Sequence, residues 1–265
     1  MKYSGFLARF VLIPLAALGI LAWFDARRGK KLPAQLAALP PGAVLAAHVG
    51  IAVAYTTPWD NYLVATRVWW YDRKLVNGKV IGYVPVEEYG FFILQTLLTG
   101  MWVLTMARHV PADNASPKHP LRVRAGLTLG VGAVWLWSVF TLLRGKQSRT
   151  YLSLTLAWAL LPIMLQVAFG GDILWQHRKL VALGIIPATL YLGASDSVAI
   201  GAGTWTINPE KTVNVDLGGR LPLEEGMFFL LTNTLITLGM ILSLSKGSAR
   251  RIPATIRQVL GIKEA

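Results

Sequence analysis

The sequence predicts an all-α integral membrane protein of about seven transmembrane helices, arranged as two parallel three-helix repeats joined by a linker helix. Three observations carry that reading. Of the 265 residues, 54% are hydrophobic and only 15% charged, where soluble domains carry about 25% charged residues. The charges gather in short clusters such as Asp25 to Lys31 and Arg67 to Lys79, and apolar stretches of about 16 to 22 residues lie between them. That is the length needed to cross a bilayer core. Finally, an acidic motif about a third of the way along the chain recurs near its end.

Apolar runs between charged or Pro/Gly-rich breaks give spans at roughly 5–24, 43–58, 86–107, 123–143, 150–169, 179–195 and 223–244. In the first, Lys2 and Arg9 and the run from Val11 to Phe24 resemble a secretory signal. No small-x-small cleavage site precedes Asp25, Arg27 and Arg28, so a retained helix is expected. Spans two and six are short, and both are expected to run on into the loops that follow. Trp23, Trp59, Tyr151 and Trp175 stand near span ends, where amphipathic rings favour the interface. The segment from Ser245 to Ala265 is basic and is expected along the membrane surface. Lys and Arg number 11 on the side of the N-terminus and 15 on the other. The excess lies entirely in the C-terminal tail and leans towards a cytoplasmic C-terminus.

The net charge of +13 comes from Lys and Arg at the ends of apolar segments. There they meet anionic head groups, so membrane lipid is the expected partner and nucleic acid is not. The absence of cysteine excludes disulfides, iron–sulfur clusters and thiolate zinc sites. A multi-pass protein of the cell membrane is expected.

The repeat organises the chain. PVEEYGFF (Pro85 to Phe92) opens span three and PLEEGMFF (Pro222 to Phe229) opens span seven; both read P-x-E-E-x-x-F-F at an offset of 137. Asp60 and Trp69 match Asp196 and Trp205 at an offset of 136. Two anchor sets at nearly one offset point to duplicated units. The expected organisation is a first three-helix repeat over 1–110, a linker helix over 111–147, a second repeat over 148–245 and a basic tail over 246–265. Three spans reverse the side of the chain and the linker helix restores it. Both P-x-E-E motifs therefore open on one face of the membrane.

Each motif begins a helix, where proline suits the first turn and a glutamate meets the positive end of the helix dipole. Capping accounts for a single Pro-x-Glu but not for adjacent carboxylates recurring before Phe-Phe. Adjacent like charges at a membrane interface are costly unless one is protonated or paired. Helical spacing sets Glu87 beside Phe91 and Glu88 beside Phe92, with Gln95 further along the same face. The parallel set is Glu224 with Phe228 and Glu225 with Phe229, followed by Thr232 and Asn233. Acids beside aromatic faces suit protonation of an alkene, the rings stabilising a carbocation without trapping it. For Trp69, Trp70 and Tyr71 an interfacial belt is an equal reading.

Absences narrow the chemistry. No G-x-G-x-x-G follows a strand, and there is no P-loop, H-E-x-x-H or G-x-S-x-G. His48, His109, His119 and His177 lack ligand spacing, so no metal is expected. Paired aspartate-rich motifs of the kind that bind magnesium diphosphates are missing, which argues against a membrane prenyltransferase. Span seven contains no lysine for a retinal Schiff base.

TTPWDNY (Thr56 to Tyr62), PVEEYGFF and LPLEEGMFFLLTN (Leu221 to Asn233) together resemble the membrane lycopene cyclases of the heterodimeric or fused type. The resemblance covers nearly the whole chain and implies a single-chain version carrying both repeats. It implies cyclisation of lycopene and related linear carotenoids to β-carotene by way of γ-carotene, an isomerase reaction without a cofactor. Other carotenoid-pathway enzymes would be partners. By the resemblance Glu87, Glu88, Glu224 and Glu225 are the acid and base residues. Trp59, Asp60, Asn61, Phe91, Phe92, Gln95, Asp196, Phe228, Phe229 and Asn233 are expected around the substrate. The second repeat departs from the pattern, with Ala194, Ser195, Asp196 and Ser197 where Pro58, Trp59, Asp60 and Asn61 stand in the first. A carotenoid end-group hydratase, another membrane terpene cyclase and a non-catalytic carotenoid-binding protein are the competing readings.

Overall fold

The computed structural model describes residues 1–111, 116–253 and 255. Its long helices are α1 (Tyr3–Arg27), α2 (Pro41–Ala65), α3 (Val86–His109), α4 (Pro120–Leu143), α5 (Thr150–Gln176), α6 (Arg178–Gly201) and α7 (Leu223–Leu244). Six of them are long and apolar enough to cross a membrane. The exception, α2, has 25 residues but carries His48, Tyr55, Thr56 and Thr57 among its apolar ones. The chain is an all-α membrane protein. Spans two and six do continue beyond their apolar runs, to Ala65 and Gly201.

Prolines inside the helices determine how the bundle is tied. A proline cannot donate to the carbonyl four residues back. Pro14 leaves the Phe10 carbonyl free, and the Tyr191 hydroxyl of α6 donates to it at 2.9 Å. The strain there is also relieved by a π-helical turn over Ala8–Leu12. Pro162 frees the Trp158 carbonyl, which accepts from Tyr55 of α2 at 2.9 Å. Pro187 frees the Leu183 carbonyl, which accepts from the Trp102 indole of α3 at 2.8 Å. Each of these bonds joins a helix before α4 to a helix after it.

Among the described residues, three short antiparallel ladders that helical periodicity did not foresee lie between the helices. β1 (Trp69–Tyr71) pairs with β4 (Trp205–Ile207), β2 (Val80–Ile81) with β3 (Val84–Pro85), and β5 (Asp216–Leu217) with β6 (Leu221–Pro222). Strands of two or three residues are too short to show an alternating pattern. In the first ladder Trp70 faces Thr206, two residues 136 apart. Antiparallel pairing of matching strands is the contact that a two-fold arrangement generates.

At the ladder end of the bundle, α3 and α7 begin, α2 and α6 end, and Tyr3 and Tyr151 open α1 and α5. Two packed apolar clusters fill the interior. One surrounds Phe6, Leu63, Phe91, Phe92, Leu192 and Phe229 near the ladders, and the other surrounds Val103, Ile163 and Ile241 further down. At the far end buried Asp25 meets His109 at 3.4 Å and Lys30 at 3.9 Å. α4 lies along α5, joined by Trp135 to the Ala157 carbonyl and Arg124 to the Ala168 carbonyl. Of the basic segment expected over 246–265, a short helix α8 (Lys246–Ala249) and Arg251, ion-paired with Asp172, are seen. Residues 254 and 256–265 of that tail, and 112–115 of the expected linker unit, lie outside the described residues.

Candidate active site

The helix starts and ends at the ladder end enclose a cavity of about 50 Å³, room for a few water molecules. Four carboxyl side chains line it: Asp60, Glu88, Asp196 and Glu225. Nine aromatic side chains complete most of the wall, and neither Lys nor Arg is among the lining residues. Among the described residues the acids are not grouped as ligands of one metal ion would be.

Each carboxyl accepts from one aromatic donor that also lines the cavity. The Trp69 indole N–H donates to Asp60 Oδ1 at 2.9 Å, and the Trp205 indole N–H donates to Asp196 Oδ1 at 3.0 Å. Both partners stand nine residues after their acid, where β1 and β4 carry the indoles back over the helix ends. Each aspartate keeps its second oxygen buried and without a hydrogen-bond partner. The Tyr3 hydroxyl donates to Glu88 Oε2, and the Tyr151 hydroxyl donates to Glu225 Oε1 at 2.6 Å. The four acid–donor pairs form two matching sets around one cavity.

Glu87 and Glu224 stand apart from that lining. Glu87 Oε1 accepts from the Asn77 backbone N–H at 2.6 Å, and Glu224 Oε1 accepts from the Val213 backbone N–H at 2.7 Å. Both acids are buried and fasten the loop that precedes their own helix. A helix turns by about 100° per residue, so adjacent glutamates cannot face the same way. One of each pair meets the loop and the other meets the cavity.

Asn61 also faces the loop. Its Oδ1 accepts from the Tyr83 N–H at 2.7 Å, and its Nδ2 donates to the Tyr89 hydroxyl at 3.0 Å. Gly82 makes this possible: it has φ +66°, and a Cβ there would lie 2.1 Å from Asn61 Oδ1. Trp59 lines the cavity, stacked on Trp158 at 4.4 Å and on Phe228 at 5.8 Å. Phe91, Phe92 and Phe229 line it as well, with Phe91 edge-on to Phe229 at 6.3 Å. Gln95 and Asn233 are outside the lining. They join α3 to α7, Gln95 donating to Thr232 at 2.9 Å and Asn233 accepting from Thr99 at 2.7 Å.

Motif reading missed Tyr3 and Tyr151. They match at an offset of 148, whereas the acids match at 136 and 137, so a search at one offset does not pair them. The roles of Trp69 and Trp205 were legible only as repeat anchors. Their nine-residue distance from Asp60 and Asp196 was the available signal.

The family model described as "Lycopene cyclase" matches residues 6–106 and 148–242, which hold α1 to α3 and α5 to α7. A protein named lycopene beta-cyclase from Halobacterium salinarum is 38% identical over 246 residues, covering 91% of this chain and 95% of that one. A bifunctional lycopene cyclase/phytoene synthase from Phaffia rhodozyma is 34% identical over 209 residues, covering 72% of this chain. A protein of the same name from Podospora anserina is 34% identical over 192 residues, covering 70%. The matched part is about a third of each fungal protein, 31% and 32%. No solved structure matches the chain.

Proposed function

Because the chain belongs to the lycopene cyclase family, we propose that it closes the linear ends of lycopene into β-rings, giving β-carotene by way of γ-carotene. The observation that carries this reading is the single cavity in which four carboxyl groups meet an aromatic wall. The reaction is an isomerisation. A carboxylic acid adds a proton to C2 of the end group and leaves a cation at C1. The C5=C6 alkene attacks C1, forming the C1–C6 bond and moving the cation to C5. A carboxylate removes the C6 proton, and C5=C6 forms again. One proton enters and one leaves, so neither electrons nor a redox cofactor are consumed.

The cavity residues suit each step. The quadrupoles of Trp59, Phe91, Phe92, Phe228 and Phe229 stabilise a cation and offer it no lone pair. No cation among the lining residues pairs with the four carboxyl groups. Joint ionisation of four neighbouring acids away from bulk water is prohibitive. Asp60, Glu88, Asp196 and Glu225 are the acid and base residues in this proposal. Tyr3, Tyr151, Trp69 and Trp205 aim them, and Glu87 and Glu224 hold the loops. The duplicated arrangement makes one pocket from two parallel three-helix units, with α4 as linker. We place the protein in the cell membrane, drawing lycopene from the lipid beside other carotenoid-pathway enzymes.

Pigment analysis tests the reading. Membranes carrying the protein should convert lycopene to monocyclic and bicyclic products of unchanged mass without added flavin or nicotinamide. A product heavier by water would make it a hydratase, and unchanged lycopene would leave only a binding protein.

A further inference from the structure

A cavity of about 50 Å³ cannot hold a long hydrocarbon, and the two flanks of the cavity are not alike. On one flank Trp59 and Trp158 stack across the wall with their planes 16° apart. The matching positions on the other flank are Ser195 and Phe10, 136 and 148 residues away. The Ser195 hydroxyl turns back to its own helix and donates to the Tyr191 carbonyl at 2.8 Å. One turn below it, Tyr191 and Leu192 form the rim of a second cavity of about 380 Å³ between α1, α3 and α6. Leu98 and Leu192 line this groove and also pack in the cluster that contains Phe91, Phe92 and Phe229 of the acid cavity.

The groove suits a polyene. Its wall is almost wholly carbon: the Tyr191 hydroxyl is spent on the Phe10 carbonyl and the Trp102 N–H on the Leu183 carbonyl. Its α1 wall from Pro14 to Leu21 runs about 10 Å at 1.5 Å per residue. The corresponding space in the other half is filled. Gln166, which matches Leu18, donates to the Leu235 carbonyl at 3.0 Å. His48 Nε2 lies 2.4 Å from where a Cβ on Gly239, which matches Trp102, would stand.

We propose that the polyene chain of the substrate lies in the groove between α1, α3 and α6 and enters the acid cavity past Ser195. The proposal rests on the cyclase reading and deepens it. Since the acids share one cavity of about 50 Å³, one end group is presented at a time. The monocyclic product must leave and return reversed before its second end reacts.

Two substitutions and a cross-link test this. Ala17→Trp and Ala188→Trp, which fill the groove, should lower lycopene conversion at least tenfold at equal protein level. Leu165→Trp, at the position matching Ala17, should leave conversion within twofold. A benzophenone amino acid at Leu21 should capture lycopene, whereas one at Phe169, the matching position, should not. Wild-type turnover in both groove variants would overturn the proposal, as would capture of only phospholipid chains at Leu21. Where a variant fails to accumulate, the cross-link decides. Lycopene captured at Leu21 without ring closure by the wild type would end the cyclase reading and keep the groove. Ring closure with only lipid at Leu21 would do the opposite.

Discussion

Replacing each glutamate of the two adjacent pairs by glutamine separates proton transfer from loop anchoring. Glutamine keeps the size and a carbonyl acceptor but cannot deliver a proton. At Glu88 and Glu225 the tyrosine hydroxyl can still donate to the amide oxygen, so the fold loses little. The acid–base contribution disappears, and such contributions are worth about 10² to 10⁴ in rate. That corresponds to roughly 2.7 to 5.4 kcal/mol of barrier at 1.36 kcal/mol per tenfold. At Glu87 the Asn77 N–H, 2.6 Å from Oε1, still finds an acceptor in the amide oxygen. An intramolecular hydrogen bond contributes about 0.5 to 1.5 kcal/mol. The expected cost is therefore at most about 1 kcal/mol of stability, with turnover within a few-fold of wild type. Glu224→Gln should behave alike through the Val213 N–H at 2.7 Å. The assay is lycopene consumption by membranes normalised to protein level, with thermal unfolding of the purified variants alongside. Near wild-type turnover in Glu88→Gln and Glu225→Gln, with collapse in Glu87→Gln at normal protein level, would refute the division of labour.

Tyr151→Phe removes the donor to Glu225, 2.6 Å away, and leaves the ring in place. An approximately tenfold fall in kcat with KM little changed is expected, the size of about 1.4 kcal/mol; a change confined to KM would make the tyrosine a substrate contact. The chain has no cysteine, so single cysteines at Asn77 and Asn214 can be labelled without background. An impermeant reagent should reach both from the same side of the membrane, and labelling from opposite sides would contradict the shared cavity.

Hydropathy and motif spacing determined the helices, because a bilayer demands long apolar runs with internally satisfied backbones. Counting spans led to the expectation that both acidic motifs open on one face, and Glu88 and Glu225 line one cavity at the ladder end of the bundle. Sequence spacing could not divide Glu87 from Glu88 or Glu224 from Glu225: both members of a pair share a composition, and only the helix phase relative to loop and cavity distinguishes them. Tyr3 and Tyr151 needed the fold as well. They sit 85 and 74 residues from the carboxyls they hold, and such contacts come from packing, which no local pattern records. The β1–β4 ladder is of the same kind, joining strands 136 residues apart whose own three residues carry no periodic signal. The difference between the two flanks, Trp59 on one and Ser195 on the other, is visible as a substitution in the motif. That the larger apolar groove lies on the Ser195 side, against Tyr191 and Leu192, was decided by tertiary structure, because void space depends on what every neighbouring helix places around it.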